Sequence, residues 1–234
     1  MTVTGRRRVV LLDALGTLLE LEDPGPALAD ELARRGAAVT VDEARAAVLG
    51  EMTYYKDHHD EATDRAQLAD LRRRCAEVLR DGLPDRAQAL GVPALTEALL
   101  AALRFRPYPE VPAALAALRE QGLRLVVISN WDVSLHDQLA ATGLAPLVDG
   151  AVSSAEAGAG KPAPVIYERA LALAGAEPGE AVMVGDSPDT DVAGALALGI
   201  AAVLVDRWGA ASVPPGAHVV TSLAEVPALV ESLA

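Results

Sequence analysis

The sequence predicts an α/β protein in which a parallel β-sheet carries helices on both faces and an α-helical domain is inserted near the start. The apolar run Val9–Leu12 leads directly into Asp13, which is typical of a buried parallel strand. After residue 111, short apolar segments alternate with helical segments that end at glycine, as in βαβ units. Residues 24–104 show helical periodicity without strand-like alternation, which indicates the insertion.

Length and composition fit one sizeable core plus a smaller domain. The chain has 234 residues, of which 51% are hydrophobic and 3% aromatic, so Ala, Leu and Val must fill the interior. The single cysteine, Cys75, excludes an internal disulfide. The formal net charge of −13 argues against nucleic acid as a partner, because phosphate backbones need a basic surface.

The sequence predicts neither a membrane segment nor a targeting segment. No apolar run approaches the roughly 20 residues that a membrane span needs. No signal-peptide pattern with a cleavage site is found either. We therefore expect a soluble, cytoplasmic protein without membrane contact. The basic cluster Arg6–Arg8 is interpreted as a solvated flank of the first strand.

The inserted segment predicts four helices. The first covers residues 27–35 and ends at Gly36, and the second begins at a capping box formed by Thr40 and Glu43. The third covers about residues 63–80, and the fourth ends near residue 103. Helical spacing turns one face of the second helix inward: Ala44, Ala47, Val48 and Met52.

The proline-rich stretch 105–109 is predicted to be a stiff link back to the sheet. Further strands are predicted at residues 123–128, 148–153, 181–184, 201–205 and 219–220, and helices at 111–121, 134–142, 163–174, 189–198 and 223–233. The predicted core domain thus comprises residues 1–20 and 106–234, and the helical domain residues 21–105. We expect the helical domain to lie over the carboxyl edge of the sheet, where ligands bind in open α/β sheets.

Polar residues stand at or just after the predicted strand ends. Three are Asp13, Ser129 and Asp186, while Lys161 lies on the loop after another strand and Asp191 on the next helix turn. Because parallel strand ends meet at one edge, these groups are expected to converge. Clustered carboxylates need a cation, and hard oxygen ligands suit Mg²⁺.

An anionic oxygen fits the remaining groups at this edge. Ser129 can donate its hydroxyl, Lys161 supplies a positive charge, and backbone amides near Gly16 can hold an anion. Each residue also has a simpler interpretation: a helix N-cap for Ser129 or Asp186, surface charge for Lys161, and a turn residue for Asp13. Lys161 is nevertheless one of only two lysines in an arginine-rich chain, the other being Lys56.

Four motifs give the chain a resemblance to the haloacid dehalogenase-like hydrolase superfamily, in the subgroup with a helical (C1-type) cap. The matching segments are residues 13–18 (DALGTL), 128–132 (ISNWD), 154–162 (SAEAGAGKP) and 184–191 (VGDSPDTD). They cover nearly the whole chain in the order and spacing that the family shows. The resemblance implies a Rossmann-like core with an inserted cap that closes over the strand ends.

The resemblance also implies a mechanism. Asp13 would be the nucleophile that forms an aspartyl-phosphate, later hydrolysed by water. The Mg²⁺ ligands would be the carboxylates of Asp13 and Asp186, the carbonyl of Leu15 and, directly or through water, Asp191. The transferring phosphoryl group would be bound by Ser129 and Lys161, with Asn130 contributing from the same turn.

One position departs from the phosphatase pattern of the family. Phosphatases typically carry a second Asp two residues after the nucleophile as the acid for the leaving group, and here that position is Leu15. General acid–base help is worth roughly 10²–10⁴ in rate, so a slow phosphatase is expected unless another group substitutes. L-2-haloacid dehalogenases also lack this acid, because a halide leaves without a proton. In that branch of the family the enzymes look metal-independent, whereas this chain has Asp186 and Asp191 at the positions of the metal-binding carboxylates.

Two further alternatives stay open at the level of the sequence. Phosphonoacetaldehyde hydrolases have a small residue at the Leu15 position and form a Schiff base with a cap lysine, for which Lys56 is the candidate if desolvation lowers its pKa. The second alternative is a protein of this fold that has little turnover and binds a metabolite or a partner.

The sequence favours a Mg²⁺-dependent hydrolase, namely a phosphatase that acts on a small phosphorylated metabolite. The cap residues expected to face the substrate are Tyr54, Tyr55, Lys56 and His58. Trp131 is a candidate for an exposed aromatic at the rim, or else packs against the cap. Monomer and homodimer are both compatible with the sequence.

Overall fold

The computed structural model describes residues 7–209 and 211–233, so Arg6 of the predicted basic flank lies outside the described residues. Arg8 of the same flank is exposed and pairs with Glu180. The described chain forms two compact units. We call Leu21–Arg106 the helical unit, and the described residues before and after it the core unit.

The core unit is built on a six-stranded sheet whose paired neighbours all run parallel, in the order β5-β4-β1-β6-β7-β8. This sheet confirms the predicted α/β fold class. The strands in the described residues, including two outside this sheet, are β1 Val9–Leu12, β2 Leu19–Leu21, β3 Phe105–Pro107, β4 Arg124–Ser129, β5 Gly150–Ser153, β6 Ala181–Gly185, β7 Ala201–Val205 and β8 His218–Val220.

The central strand β1 is buried on both faces, as its four consecutive apolar residues predict. Its alternating side chains Val9 and Leu11 join a core cluster with Ile166 and Tyr167 of the helix that covers one face of the sheet. The helices are α1 Pro24–Arg34, α2 Val41–His58, α3 Arg65–Gly82, α4 Asp85–Gln88, α5 Val92–Ala102, α6 Val111–Glu120, α7 Leu135–Ala141, α8 Ser154–Ala157, α9 Pro164–Ala174, α10 Gly194–Ala197 and α11 Val226–Ser232.

The helical unit contains α1 to α5, with α1 packed on α2 and α5, and α3 packed on the same two helices. The predicted capping box is confirmed, since the Thr40 hydroxyl accepts from the Glu43 amide and the Glu43 carboxylate accepts from the Thr40 amide. The prediction for the next turn of α2 was wrong by one position. Glu51 is buried there, while Met52 is only half-buried.

Two short strands were missed by the sequence pattern. The segment 105–107, predicted as a stiff link, is β3, and it pairs with β2 in a separate two-stranded sheet. Each strand has only three residues, too few for alternation to be recognised. The predicted helix 189–198 begins as a π-helix over Pro188–Ala193 before α10.

Among the described residues, no helix is both long enough and apolar enough to cross a membrane.

Candidate active site at the carboxyl edge of the sheet

Three neighbouring strands deliver polar side chains to the same edge of the sheet. Asp13 follows β1, Ser129 is the last residue of β4, and Asp186 follows β6. The Ser129 hydroxyl lies 3.4 Å from Oδ1 of Asp13. Carboxylate oxygens of Asp13, Asp186 and Asp191 all lie within 4.8 Å of one another. The convergence expected from parallel topology is therefore present.

Lys161 is buried between two of these carboxylates. Its Nζ lies 2.5 Å from Oδ1 of Asp13 and 2.7 Å from Oδ1 of Asp191, and it donates to the carbonyl of Ile128 at 3.0 Å. The contacts with Asp13 and with the Ile128 carbonyl are hydrogen bonds, and the contact with Asp191 is an ion pair. The interpretation of Lys161 as a surface charge is wrong, because only 2% of its side chain is exposed.

Asn130 fixes the loop that carries this lysine. Its amide nitrogen donates to the carbonyl of Lys161 at 2.9 Å, and its Oδ1 accepts from the amide of Lys161 at 2.7 Å. A Cβ at Gly160 would lie 2.7 Å from Oδ1 of Asn130, so only glycine permits this close approach. The structure thus gives Asn130, predicted to contact substrate, a clear role in holding Lys161.

Asp191 is presented by the π-helical turn Pro188–Ala193. Its Oδ2 accepts from the Ser187 amide at 2.9 Å. The hydroxyl of Tyr167 on α9 donates to the carbonyl of Thr190 at 2.5 Å and lies 3.3 Å from the carbonyl of Asp191. π-Helical turns are rare and frequently occur at functional sites. Tyr167 was not singled out from the sequence, where it reads as one more core residue of an apolar helix face.

Two glycines make room for the carboxylates. Gly16 has a φ of +90°, in the left-handed region that favours glycine, and a Cβ there would lie 2.1 Å from Oδ2 of Asp186. At Gly185, a Cβ would lie 2.3 Å from the carboxyl carbon of Asp191. Gly16 was predicted for its amide, and the structure adds that its missing side chain admits Asp186.

Burial dominates the electrostatics of this cluster. It raises the pKa of Asp13 to about 7, with Lys161 lowering that pKa and the carboxylates of Asp191 and Asp186 raising it. Asp186 is more exposed than Asp13, but desolvation of its carboxyl group still raises its pKa to about 6, and the carboxylate of Asp191 adds to the effect. For Lys161, burial alone would lower the pKa, but the charges of Asp13 and Asp191 reverse this and raise it.

The residues present fit a divalent cation. With every group ionised, three carboxylates and one ammonium leave a surplus of two negative charges, which one divalent ion balances. Asp13 and Asp191 are buried while Asp186 is exposed, so the cluster has an open side. Few carboxylates plus free positions for water and substrate oxygens are the donor set that Mg²⁺ prefers.

Two further residues of the core unit, Trp131 and Leu15, were singled out in the sequence as candidates for the site. Trp131 is only 7% exposed, so its interpretation as an exposed rim aromatic is wrong. Its amide donates to the Ser154 hydroxyl at 3.0 Å, and its indole nitrogen to the Ser134 hydroxyl at 3.3 Å. Leu15 is 39% exposed, and its side chain offers no acid. Its carbonyl stays a predicted metal ligand.

The predicted substrate-facing residues of the helical unit all lie on α2. The Tyr54 ring stacks on the His58 ring at 3.9 Å, and the Tyr54 hydroxyl accepts from Arg74 at 2.7 Å. The Tyr55 ring lies 5.8 Å from the ring of His59. Lys56 is exposed, so the desolvation that a Schiff-base lysine requires is not found. Substrate contact by these residues stays a prediction.

Comparison with known proteins points in the same direction as the geometry. A phosphoserine phosphatase from Thermus thermophilus is 41% identical over 128 residues, which is 54% of this chain and 49% of that protein. Solved structures include a HAD phosphatase from Thermococcus onnurineus (28% identity, TM-score 0.65, covering 95% of this chain and 97% of that one). They also include a 2-haloacid dehalogenase from Pseudomonas syringae pv. Tomato (25% identity, TM-score 0.70, covering 97% and 100%).

The chain carries acidic groups and a buried lysine at the strand ends of its parallel α/β core. The model of the haloacid dehalogenase-like hydrolase family matches residues 7–199, and the chain belongs to this family. The chain spans about half the length of the curated relatives it matches.

Proposed function

We propose that this protein is a Mg²⁺-dependent phosphatase that acts on a small phosphorylated metabolite through an aspartyl-phosphate on Asp13. The observation that carries the proposal is the convergence of Asp13, Asp186 and Asp191 beside Lys161. A 2-haloacid carries no phosphate group, so a dehalogenase needs no metal ion to neutralise one. Retention of three carboxylates within ion-binding distance of one another therefore favours phosphoryl transfer.

Each residue has a distinct part in the proposed reaction. A carboxylate oxygen of Asp13 attacks phosphorus, the bond from phosphorus to the leaving oxygen breaks, and water then hydrolyses the acyl phosphate to restore the carboxylate. Ser129 and Lys161 donate to the phosphoryl oxygens as charge moves onto them. Bound Mg²⁺, held by Asp13, Asp186, Asp191 and the Leu15 carbonyl, would supply charge neutralisation at the phosphoryl group.

Leu15 sets the limit on rate. No carboxyl group stands two residues after the nucleophile to protonate the leaving oxygen, which removes roughly 10²–10⁴ of acid catalysis. Esters of weakly basic alcohols or phenols, and acyl phosphates, tolerate this loss because their leaving group departs unprotonated. We expect turnover to rise steeply as the pKa of the leaving group falls.

The similar proteins support the proposal at the level of reaction class. A phosphoserine phosphatase and a HAD phosphatase are among them. A 2-haloacid dehalogenase of comparable structural similarity supports the second candidate, because a halide also leaves without a proton and Leu15 suits it. The acidic cluster makes dehalogenation the weaker candidate.

A panel of substrates, assayed with and without metal, tests the phosphatase and the dehalogenase candidates together. Aryl phosphates of graded leaving-group pKa, phosphorylated metabolites and 2-haloacids are assayed with a large excess of Mg²⁺ and again with EDTA. A phosphatase is active only with metal on the phosphate esters. Metal-independent halide release instead would establish the dehalogenase, and turnover of nothing would favour a binding protein. The Asp13→Asn variant is the matched control for contaminating phosphatases.

A further inference from the structure

Arg207, just after β7, forms hydrogen bonds with the loop that follows Asp13. Its Nε donates to the carbonyl of Gly16 at 3.2 Å, and its Nη2 to the carbonyl of Thr17 at 2.9 Å. These residues are 190 and 191 positions away in the chain. Only 12% of the Arg207 side chain is exposed. An arginine whose Nε and Nη2 both donate to backbone carbonyls is a fixed structural part of the site region.

The rest of the guanidinium is held as firmly. Nη1 of Arg207 lies 2.7 Å from the carboxylate of Glu110, and the guanidinium carbon lies 3.5 Å from the centre of the Tyr108 ring. The Tyr108 amide in turn donates to the carbonyl of Leu18 at 3.1 Å. One planar side chain therefore joins the segment after Asp13 to the segment that follows β3. A lysine cannot reproduce this, since it is a point charge without a planar fork.

The Gly16–Thr17 loop, which Arg207 holds, lies directly beside the acidic cluster. Gly16 approaches Asp186 so closely that a Cβ would overlap the carboxylate. A shift of this loop by a few tenths of an ångström therefore changes the space that the Asp186 carboxylate occupies. The backbone carbonyl that Arg207 holds belongs to the same residue, Gly16, so the arginine fixes that spacing from outside.

We propose that Arg207 is a positioning residue of the active site, which fixes the Gly16–Thr17 backbone against Asp186 and so sets the geometry for divalent-metal binding. The proposal rests on the metal site of the proposed function. Residues one step from metal ligands typically change metal affinity or activity by about 10–100-fold when altered. A role in stability alone would lower the melting temperature and leave metal affinity unchanged.

The test measures Mg²⁺ binding by calorimetry without substrate, together with turnover and melting temperature. Variants are Arg207→Gln, Arg207→Lys and, as matched control, Arg8→Gln, which removes an exposed arginine paired with Glu180 near the opposite end of β1. We expect Arg207→Gln to weaken Mg²⁺ binding about 10-fold or more and to lower kcat with little change in substrate KM. Arg207→Lys should rescue only part of the loss, and Arg8→Gln should match wild type.

The outcomes separate this proposal from the proposed function. If wild type binds Mg²⁺ and turns over phosphate esters while Arg207→Gln binds Mg²⁺ equally well, the positioning role is overturned and the phosphatase stands. If wild type binds no Mg²⁺, both fall. Should Arg207→Gln fail to fold, Glu110→Gln, which keeps Arg207 but removes its carboxylate anchor, should weaken Mg²⁺ binding by a few-fold; wild-type affinity in that variant would overturn the proposal.

Discussion

The core unit and the helical unit hold their predicted functional residues in opposite ways. In the core unit, Asp13, Lys161 and Asp191 are buried and contact one another, although they come from distant parts of the chain. In the helical unit, Lys56 is exposed and Tyr54 pairs with the neighbouring Arg74. Parallel strands fix the end of each strand at one edge, whereas a helix surface fixes only the face on which a residue stands.

The two arrangements also differ in energetic cost. Burying charges costs several kcal/mol per ion, which paired partners offset only with good geometry. The exposed ion pairs of the helical unit, such as Arg73 with Glu77, contribute about 0–1 kcal/mol and can be exchanged freely. A buried Asp–Lys–Asp cluster is therefore a weak device for stability. Its presence in the core unit fits the chemistry that we propose.

The largest effect is expected at the centre of the core-unit cluster. Asp13→Asn should reduce turnover by about 10⁴-fold or more, because an amide cannot form the acyl phosphate. Steady-state kinetics on the best substrate of the panel measure this. Asp189→Asn is the matched control, since Asp189 is an exposed aspartate on the π-helical turn and its loss should change turnover less than about 3-fold. Similar losses in both variants would contradict the nucleophile assignment.

The second prediction uses the only two lysines, one in each unit. Lys161→Met should lower the free energy of unfolding by about 3 kcal/mol at pH 8 without metal, since it leaves buried carboxylates without their cation. Lys56→Met, at an exposed site, should change it by less than about 0.5 kcal/mol. Urea denaturation in EDTA measures both.

The pH dependence of this loss has a definite sign. Lys161 lowers the pKa of Asp13, so its removal moves that pKa still higher. Protonation of Asp13 then relieves the uncompensated charge as the pH falls. The stability loss in Lys161→Met should accordingly be smaller at pH 5 than at pH 8. If Lys161→Met and Lys56→Met lost the same free energy of unfolding, the buried ion pairs of Lys161 would contribute no more to stability than the exposed Lys56 does.

The predictability of the two units follows the same division. The order of strands and the convergence of Asp13, Ser129 and Asp186 follow from apolar runs that end in polar residues, because the topology rules leave few arrangements. Lys161 was placed correctly at this edge for the same reason. The family resemblance added roles that periodicity alone does not supply.

What the sequence did not reveal depends on contacts between distant backbone groups. Arg207 and Tyr167 act on carbonyls of Gly16, Thr17 and Thr190, and nothing in a side-chain pattern marks a carbonyl as a partner. Trp131 follows a polar strand end, and the connecting segments at strand ends generally run over the surface, which favoured an exposed side chain. Glu51 interrupts the apolar face of α2, so helical spacing favoured its neighbour.

Glu51 gives the helical unit its own buried charge, and a smaller predicted effect. Glu51 is 3% exposed; burial raises the pKa of its carboxyl group, while a hydrogen bond with Cys75 lowers that pKa. Because the pKa is higher in the folded than in the unfolded state, stability is greatest below the unfolded pKa and falls as the pH rises through the folded pKa. Glu51→Gln should thus raise the free energy of unfolding by about 1 kcal/mol at pH 8 and have little effect at pH 4.

Denaturant unfolding between pH 4 and pH 8 measures this difference. Glu97→Gln is the matched control in the same unit, because 75% of the Glu97 side chain is exposed and its substitution should leave the pH profile unchanged. A Glu51→Gln profile parallel to wild type would show that the buried carboxyl group does not titrate in this range. The contrast between a buried carboxylate paired with a lysine in the core unit and a buried carboxyl group hydrogen-bonded to Cys75 here would then disappear.

The smallest effect is expected at Lys56, and it decides whether the helical unit takes part in chemistry. Lys56 is exposed, whereas a Schiff-base lysine is activated by desolvation in an apolar pocket. Incubation with phosphonoacetaldehyde and borohydride should therefore leave no adduct on Lys56, and Lys56→Met should retain turnover of phosphate esters within about 2-fold. Mass spectrometry of the wild type, with Lys56→Met as the control for labelling elsewhere, reads this out. A trapped adduct at Lys56 would move catalysis into the helical unit and overturn the division of labour between the two units.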